Sequence, residues 1–186
     1  GARILRVPSP FDYAAQAAMY VPEDFPSPSD PRHGSAVAAL VANAAMSLSG
    51  RTLVLTTTLR AIAVIAQVLR QQLAQRGSHL DVLAQGEWPK LRLMERFRAG
   101  AGPQGGCILV ASASFWEGFD VPGDALQLVV IDKLPFPPPG DPLVEARTLQ
   151  IEQSGGSAFK EYALPEAALA LKQGAGRLIR HESDRG

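Results

Sequence analysis

Four short, nearly continuous apolar runs separated by segments of helical period constrain this chain more than any other feature. The runs are Thr52–Thr56, Leu80–Leu83, Cys107–Ala111 and Leu126–Ile131. A strand with one wet face alternates apolar and polar residues, whereas a parallel strand covered on both faces does not. After the first run, Ile62, Ile65, Ala66, Leu69 and Leu73 recur at helical spacing within Leu59–Arg76, and Gly77 is placed to stop that helix. Pro89 suits the first position of a further helix carrying Leu91, Met94 and Phe97. An alanine-rich stretch over Ser35–Leu48 also reads as helical. Strand and helix alternate, which predicts an α/β fold with a mostly parallel sheet flanked by helices.

The connecting segments are as informative as the runs. Leu5–Phe11 reads as a short extended piece halted by prolines, residues 22–34 as a surface loop rich in Pro, Ser and Asp, and Gly100–Gly106 as another loop. A length of 186 residues fits one domain, 1–186. Hydrophobic residues at 46% against 19% charged supply a packed core. The 18 basic and 18 acidic residues cancel, so contact with nucleic acid has to come from a local patch. No apolar run approaches the roughly 20 residues of a membrane span. Together with a start unlike a signal peptide, this predicts a cytoplasmic chain without membrane contact. Cys107 is the single cysteine, which excludes an internal disulfide and any Cys-based zinc or iron–sulfur site built from this segment alone. His33, His79 and His181 are scattered without metal-ligand spacing, so no metal ligand is expected.

In an open parallel sheet, ligands sit beyond the carboxyl ends of the strands. Three unusual segments lie in or near such positions. Thr56-Thr57-Thr58 closes the first run and opens a helix. Its hydroxyls beside unsatisfied helix amides can hold a phosphate, or Thr58 can serve as an N-cap. Ser112-Ala113-Ser114-Phe115-Trp116-Glu117-Gly118-Phe119-Asp120 packs hydroxyls, aromatics and carboxylates directly behind a strand. These types suit stacked bases and a nucleotide, and equally an aromatic plug for the core with solvated acids. In Lys172–Arg180, a helix would set Gln173, Arg177 and Arg180 at i, i+4 and i+7 on one stripe. Two guanidiniums there have the fork geometry to clamp a phosphoryl group. Gly174 and Gly176 would each cost such a helix about 1 kcal/mol relative to alanine, a cost that close approach of backbone or ligand makes sensible.

These segments carry a family resemblance. Gln173-Gly174-Ala175-Gly176-Arg177-Leu178-Ile179-Arg180 resembles motif VI of superfamily 2 helicases, and its run into His181–Gly186 is similar to the DinG-type branch related to XPD. Ala113–Gly123 resembles that branch's motif V, and Leu53–Thr58 its motif IV. Val7–Phe11 and Ile131–Phe136 also fit, so the likeness spans nearly the whole chain with motifs in family order.

The resemblance implies a RecA-like fold, a P-loop NTPase-type domain without its own P-loop, and the second motor domain of a 5′-to-3′ DNA helicase active in repair or replication. It implies ATP bound with Mg²⁺ in a cleft shared with a first RecA-like domain of the same polypeptide. By position, Arg177 and Arg180 would be catalytic arginine fingers, with Gln173, Gly176, Glu117, Gly118 and Asp120 on the ATP side. Thr57, Thr58, Ser112 and Ser114 would touch the backbone of single-stranded DNA. The chain has no P-loop, no acidic metal-binding box and no group of four cysteines for the family's iron–sulfur cluster, so that cluster is expected only from a longer protein. It also stops at Gly186, where the family continues into a further strand, and so resembles an excised domain. Two rival readings remain at this point: a motor serving a translocase or helicase–nuclease, and an inactive RecA-like scaffold. Retention of the glutamine and both arginines speaks against the scaffold.

Overall fold

A computed structural model describes residues 11–100, 106–112, 115, 126–179 and 183–186. Its centre is a sheet of four parallel strands in the order β2-β3-β1-β4. The strands are β1 (Thr52–Thr56), β2 (Asp81–Ala84), β3 (Cys107–Ser112) and β4 (Leu128–Ile131). The helices are α1 (Tyr13–Gln16), α2 (His33–Ser47), α3 (Leu59–Gln75), α4 (Lys90–Ala99), α5 (Pro142–Gln153) and α6 (Leu164–Ala175), with a π-helical turn at Phe159–Ala163 leading into α6. The fold is α/β with a parallel sheet, as the alternation of runs predicts, and agrees with the RecA-like fold that the resemblance implies.

Both sheet faces are covered, and the alternation of side chains sorts the runs between them. Val54, Val82, Ala84, Ile108 and Val110 face one core with α2 and α3. Leu53, Leu55, Leu83, Cys107, Leu109 and Ala111 face a second with α4 and Leu178. The inner strands β1 and β3 are buried at every position, while β4, at the sheet edge, is only half-buried throughout. Val37, Ala38, Val41, Ala42 and Ala45 form the buried stripe of α2, and small alanines there let α2 lie close against α3. On α3 the buried set is Ile62, Ile65, Ala66, Leu69 and Leu73, the positions that the period picks out.

Two turns set these layers. At the end of α3, Gly77 has φ +66°, its N–H donates to Ala74 O and that of Ser78 to Leu73 O. These bonds are the paired closing bonds of a Schellman stop, which favours glycine at the left-handed position. Between α2 and β1, Ser49, Gly50 and Arg51 all have positive φ, and a Cβ on Gly50 would stand 2.5 Å from Cys107 N. Only glycine fits the chain that close to the start of β3.

Two boundaries and one stripe position differ from the sequence reading. Pro89 is the N-cap of α4 rather than its first residue, and the buried stripe is Leu93, Met94 and Phe97. Leu91, in the first turn, is 66% exposed. The loop read over 22–34 ends sooner, because α2 begins at His33. That loop is also tied down: Phe25 packs on the α2/α3 core, and the His33 ring nitrogens contact Pro26 O at 2.8 Å and Asp132 O at 2.9 Å. The extended piece read at Leu5–Phe11 lies, apart from Phe11, outside the described residues.

Candidate functional site

The register brings the strand ends level. Thr56 pairs with Ser112, Leu55 with Ile131 and Ala84 with Val110. The residues that follow therefore form a polar row along the carboxyl edge: Asp132 after β4, Thr57 and Thr58 after β1, Ser112 closing β3, and Gln85 after β2. This edge is where an open parallel sheet binds ligands.

Each hydroxyl in the row has a defined setting. Thr58 is extended (φ −139°, ψ 147°), and its Oγ1 accepts from Ala61 N at 3.2 Å, so it caps α3. An oxygen serving as N-cap keeps its own hydrogen to donate outward. The Thr56 hydroxyl donates to Thr58 O at 3.1 Å and stiffens the turn. Thr57 Oγ1 is buried with no hydrogen-bond partner. Ser112 donates from both N (2.7 Å) and Oγ (2.9 Å) to Gln85 Oε1. Because β2 ends at Ala84, the Gln85 amide oxygen takes the place of the next ladder carbonyl.

Asp132 has the strongest electrostatic signature in the row. Its Oδ1 is buried without a hydrogen-bond partner, and burial raises its carboxyl above the usual range against the opposing pull of Lys133 and His33. Neither Gln85 nor Asp132 was among the residues proposed from sequence. Both obey the strand-end rule that pointed to Thr57 and Ser112, and that rule applied to all four runs finds them.

Of the candidate nucleotide-side residues, Gln173 lies in α6, which touches β4, and Gly176 and Arg177 follow it. Gln173 is exposed in its last turn and Arg177 is half-buried. The helix that carries Gln173 does not reach Arg177. The helix ends at Ala175 with Gly176 as C-cap, and the next amides bond three residues back, Arg177 N to Gly174 O and Leu178 N to Ala175 O. Two glycines weaken propagation there, and Leu178 and Ile179 turn the chain inward. Arg180, Ser114, Glu117, Gly118 and Asp120 lie outside the described residues, as do Trp116 and Phe119. Phe115 is 3% exposed within the second core, so of the two readings of that aromatic cluster it follows the plug. Among the described residues no group of three His, Cys, Asp or Glu side chains can hold a metal ion, and no helix is long and apolar enough to cross a membrane.

The fold agrees with comparison to known proteins. The helicase C-terminal domain family matches residues 41–186, and the chain belongs to that family. It is 42% identical over 185 residues to the ATP-dependent DNA helicase YoaA of Escherichia coli K12, covering 100% of this chain and 28% of that protein. Against the ATP-dependent helicase DinG of Mycobacterium tuberculosis H37Ra it is 39% identical over 185 residues, covering 99% and 26%. A protein of Bacillus subtilis 168 named 3′-5′ exonuclease DinG is 32% identical over 189 residues, covering 99% and 20%. The chain thus spans about a quarter of the length of these relatives.

Proposed function

We propose that this chain is the second RecA-like motor domain of a cytoplasmic ATP-dependent DNA helicase that moves 5′ to 3′ in DNA repair or replication. The observation that carries the reading is the row of hydroxyls level at the carboxyl edge of β1 and β3, in a chain of the helicase C-terminal family. In this role the exposed Thr58 hydroxyl meets the single-strand backbone, with Thr57, Ser112 and Ser114 lining the same contact, without reading sequence, since phosphate contacts position and do not specify. Gln173, Gly176 and Arg177, with Arg180, Glu117, Gly118 and Asp120, turn toward ATP held by the first motor domain. The acids and P-loop of that domain hold Mg²⁺ and the phosphates, and the two arginines offset charge on the transferring phosphoryl group. An iron–sulfur cluster, where the longer protein has one, is ligated outside this chain.

The stop of α6 at Ala175 changes how Arg177 acts. Arg177 is presented by the turn after α6, so motion of that turn can bring its guanidinium to the phosphate or withdraw it. In the full-length protein, Arg180→Ala and Arg177→Ala are expected to lower DNA-stimulated ATP hydrolysis by about 10³–10⁵-fold. DNA affinity should stay within about threefold. Lysine should rescue poorly, because an ammonium lacks the planar fork. Normal hydrolysis with lost DNA binding in both variants would instead assign these arginines to DNA. The name of the Bacillus subtilis relative favours a second reading, the same motor coupled to a nuclease elsewhere in the longer protein. Nuclease assay of that protein with and without ATP separates the two.

A further inference from the structure

We infer that the turn after β2 carries a stacking station for an unpaired nucleobase, formed by Trp88 and Arg92, which extends the polar row past Ser112 to the outer strand. The inference rests on the reading that this edge meets single-stranded DNA, and it adds a contact that reads the π-face of a base rather than the backbone.

Trp88 is 38% exposed, although a large indole is among the side chains that gain most from burial. It sits between β2 and α4, in a β-bridge with Gln85. The Arg92 guanidinium carbon lies 4.2 Å from the Trp88 ring centroid, and that of Arg96, one turn further along α4, lies at 5.6 Å. Arg92 and Arg96 are i, i+4 neighbours on α4, so the helix brings both cations to the ring of Trp88, which stands just before the Pro89 N-cap.

The charges around this ring are unevenly compensated. Arg96 reaches Asp81 at 3.4 Å, and Arg70 pairs with Glu87 at 2.7 Å. That pairing holds the Glu87 carboxyl below its ordinary range, and Arg70 offsets its negative charge. Among the described residues Arg92 has no carboxylate within ion-pair distance. Lys90 adds a further cation, 5.2 Å from the centre of the Phe115 ring. A guanidinium outside any ion pair among the described residues therefore lies here against a partly exposed indole, with Glu95 the only carboxylate of α4 itself.

Position decides what this pair meets. Gln85, the bridge partner of Trp88, is also the residue that holds Ser112. Neighbouring strands lie about 4.8 Å apart, so Thr58, Ser112 and the Gln85–Trp88 turn follow one another along the same edge in the order β1, β3, β2. A backbone tracking the hydroxyls can splay a base outward onto the indole and guanidinium planes. Nucleobases stack on both surfaces, and every base has a π-face, so the contact tolerates any sequence.

The test measures binding of the full-length protein to labelled oligo(dT) and to an abasic oligomer of equal length. Trp88→Ala is expected to raise Kd for oligo(dT) by about 5- to 150-fold, the range of one lost base–aromatic stack. It should leave Kd for the abasic oligomer unchanged, and Trp88→Phe should keep most of the affinity. Arg92→Ala carries the same comparison if Trp88→Ala does not fold. An equal shift on both oligomers overturns the station, because a loss that ignores the bases is structural or purely electrostatic. No shift on either, while Thr58→Asp weakens both, overturns the station and leaves the reading of the edge standing. If Thr58→Asp is also silent, both fail.

Discussion

Gln85→Ala removes one acceptor that two donors share, and its consequence can be worked out from the geometry. Ser112 is 9% exposed, and its N–H and hydroxyl reach Gln85 Oε1 at 2.7 and 2.9 Å. A hydrogen bond contributes about 0.5–1.5 kcal/mol net, while a buried donor left without a partner costs about 1–3 kcal/mol. The amide cannot rotate away from the strand, whereas the hydroxyl can turn toward another acceptor. The amide therefore dominates, and the expected loss is about 2–3 kcal/mol. Ser112→Ala removes the hydroxyl bond to Gln85 while keeping the amide bond, and should cost about 1 kcal/mol. Gln85→Glu keeps an acceptor oxygen and should recover most of the loss.

Urea unfolding of the four members of the cycle reads these values, provided that the slope stays constant. With Gln85 already alanine, removing the Ser112 hydroxyl should cost little, giving a coupling of about 1 kcal/mol. Losses that add to within about 0.3 kcal/mol would refute the claim that one oxygen serves both groups. In the full-length protein Gln85→Ala should also blunt the stimulation of ATP hydrolysis by DNA, since Ser112 opens the segment that runs to Gly123.

Substitutions at two further positions probe the same edge. Asp132→Asn should stabilise the fold near neutral pH: burial raises the folded carboxyl above its ordinary value of 3.8, so the native state favours the neutral form. The contribution of Asp132 is then fully present below the unfolded value and is lost as pH rises through the folded one. The advantage of asparagine should therefore grow over that window and level off above it, which urea midpoints from about pH 4 to about pH 8 would show. An advantage that shrinks with rising pH would mean that the carboxylate is stabilised by its neighbours. Thr58→Ala should lower stability by about 1 kcal/mol through loss of the α3 cap, and Thr58→Asp should keep the cap yet weaken single-strand binding by placing an anion beside phosphate. Equal stability losses in the two Thr58 variants would show that the hydroxyl cap contributes nothing.

What the sequence made legible follows from which interactions are local. The inner strands were readable because burial on both faces leaves an unbroken apolar signature, as at Cys107–Ala111. The period of α3 survived because its stripe of Ile62 to Leu73 lies against the α2-side core. Leu91 was misplaced because a period gives the spacing of a stripe and not its phase, which on α4 is set by where Pro89 stops capping and Leu93 meets the sheet. The helix through Arg177 failed for a local reason that the glycines already carried: once Gly174 and Gly176 weaken propagation, inward packing of Leu178 and Ile179 outweighs further turns. Gln85 and Trp88 are a different case. The acceptor of Ser112 lies 27 residues away in sequence, and it is the pairing of β2 with β3 that puts the two side by side. Parallel strands that end in register compel this kind of convergence: each crossover returns the chain to the same edge, where backbone donors no longer have a neighbouring ladder. The side chains just past the strands must satisfy those donors or offer them to a ligand, so long-range polar contacts and candidate DNA contacts fall on the same few residues.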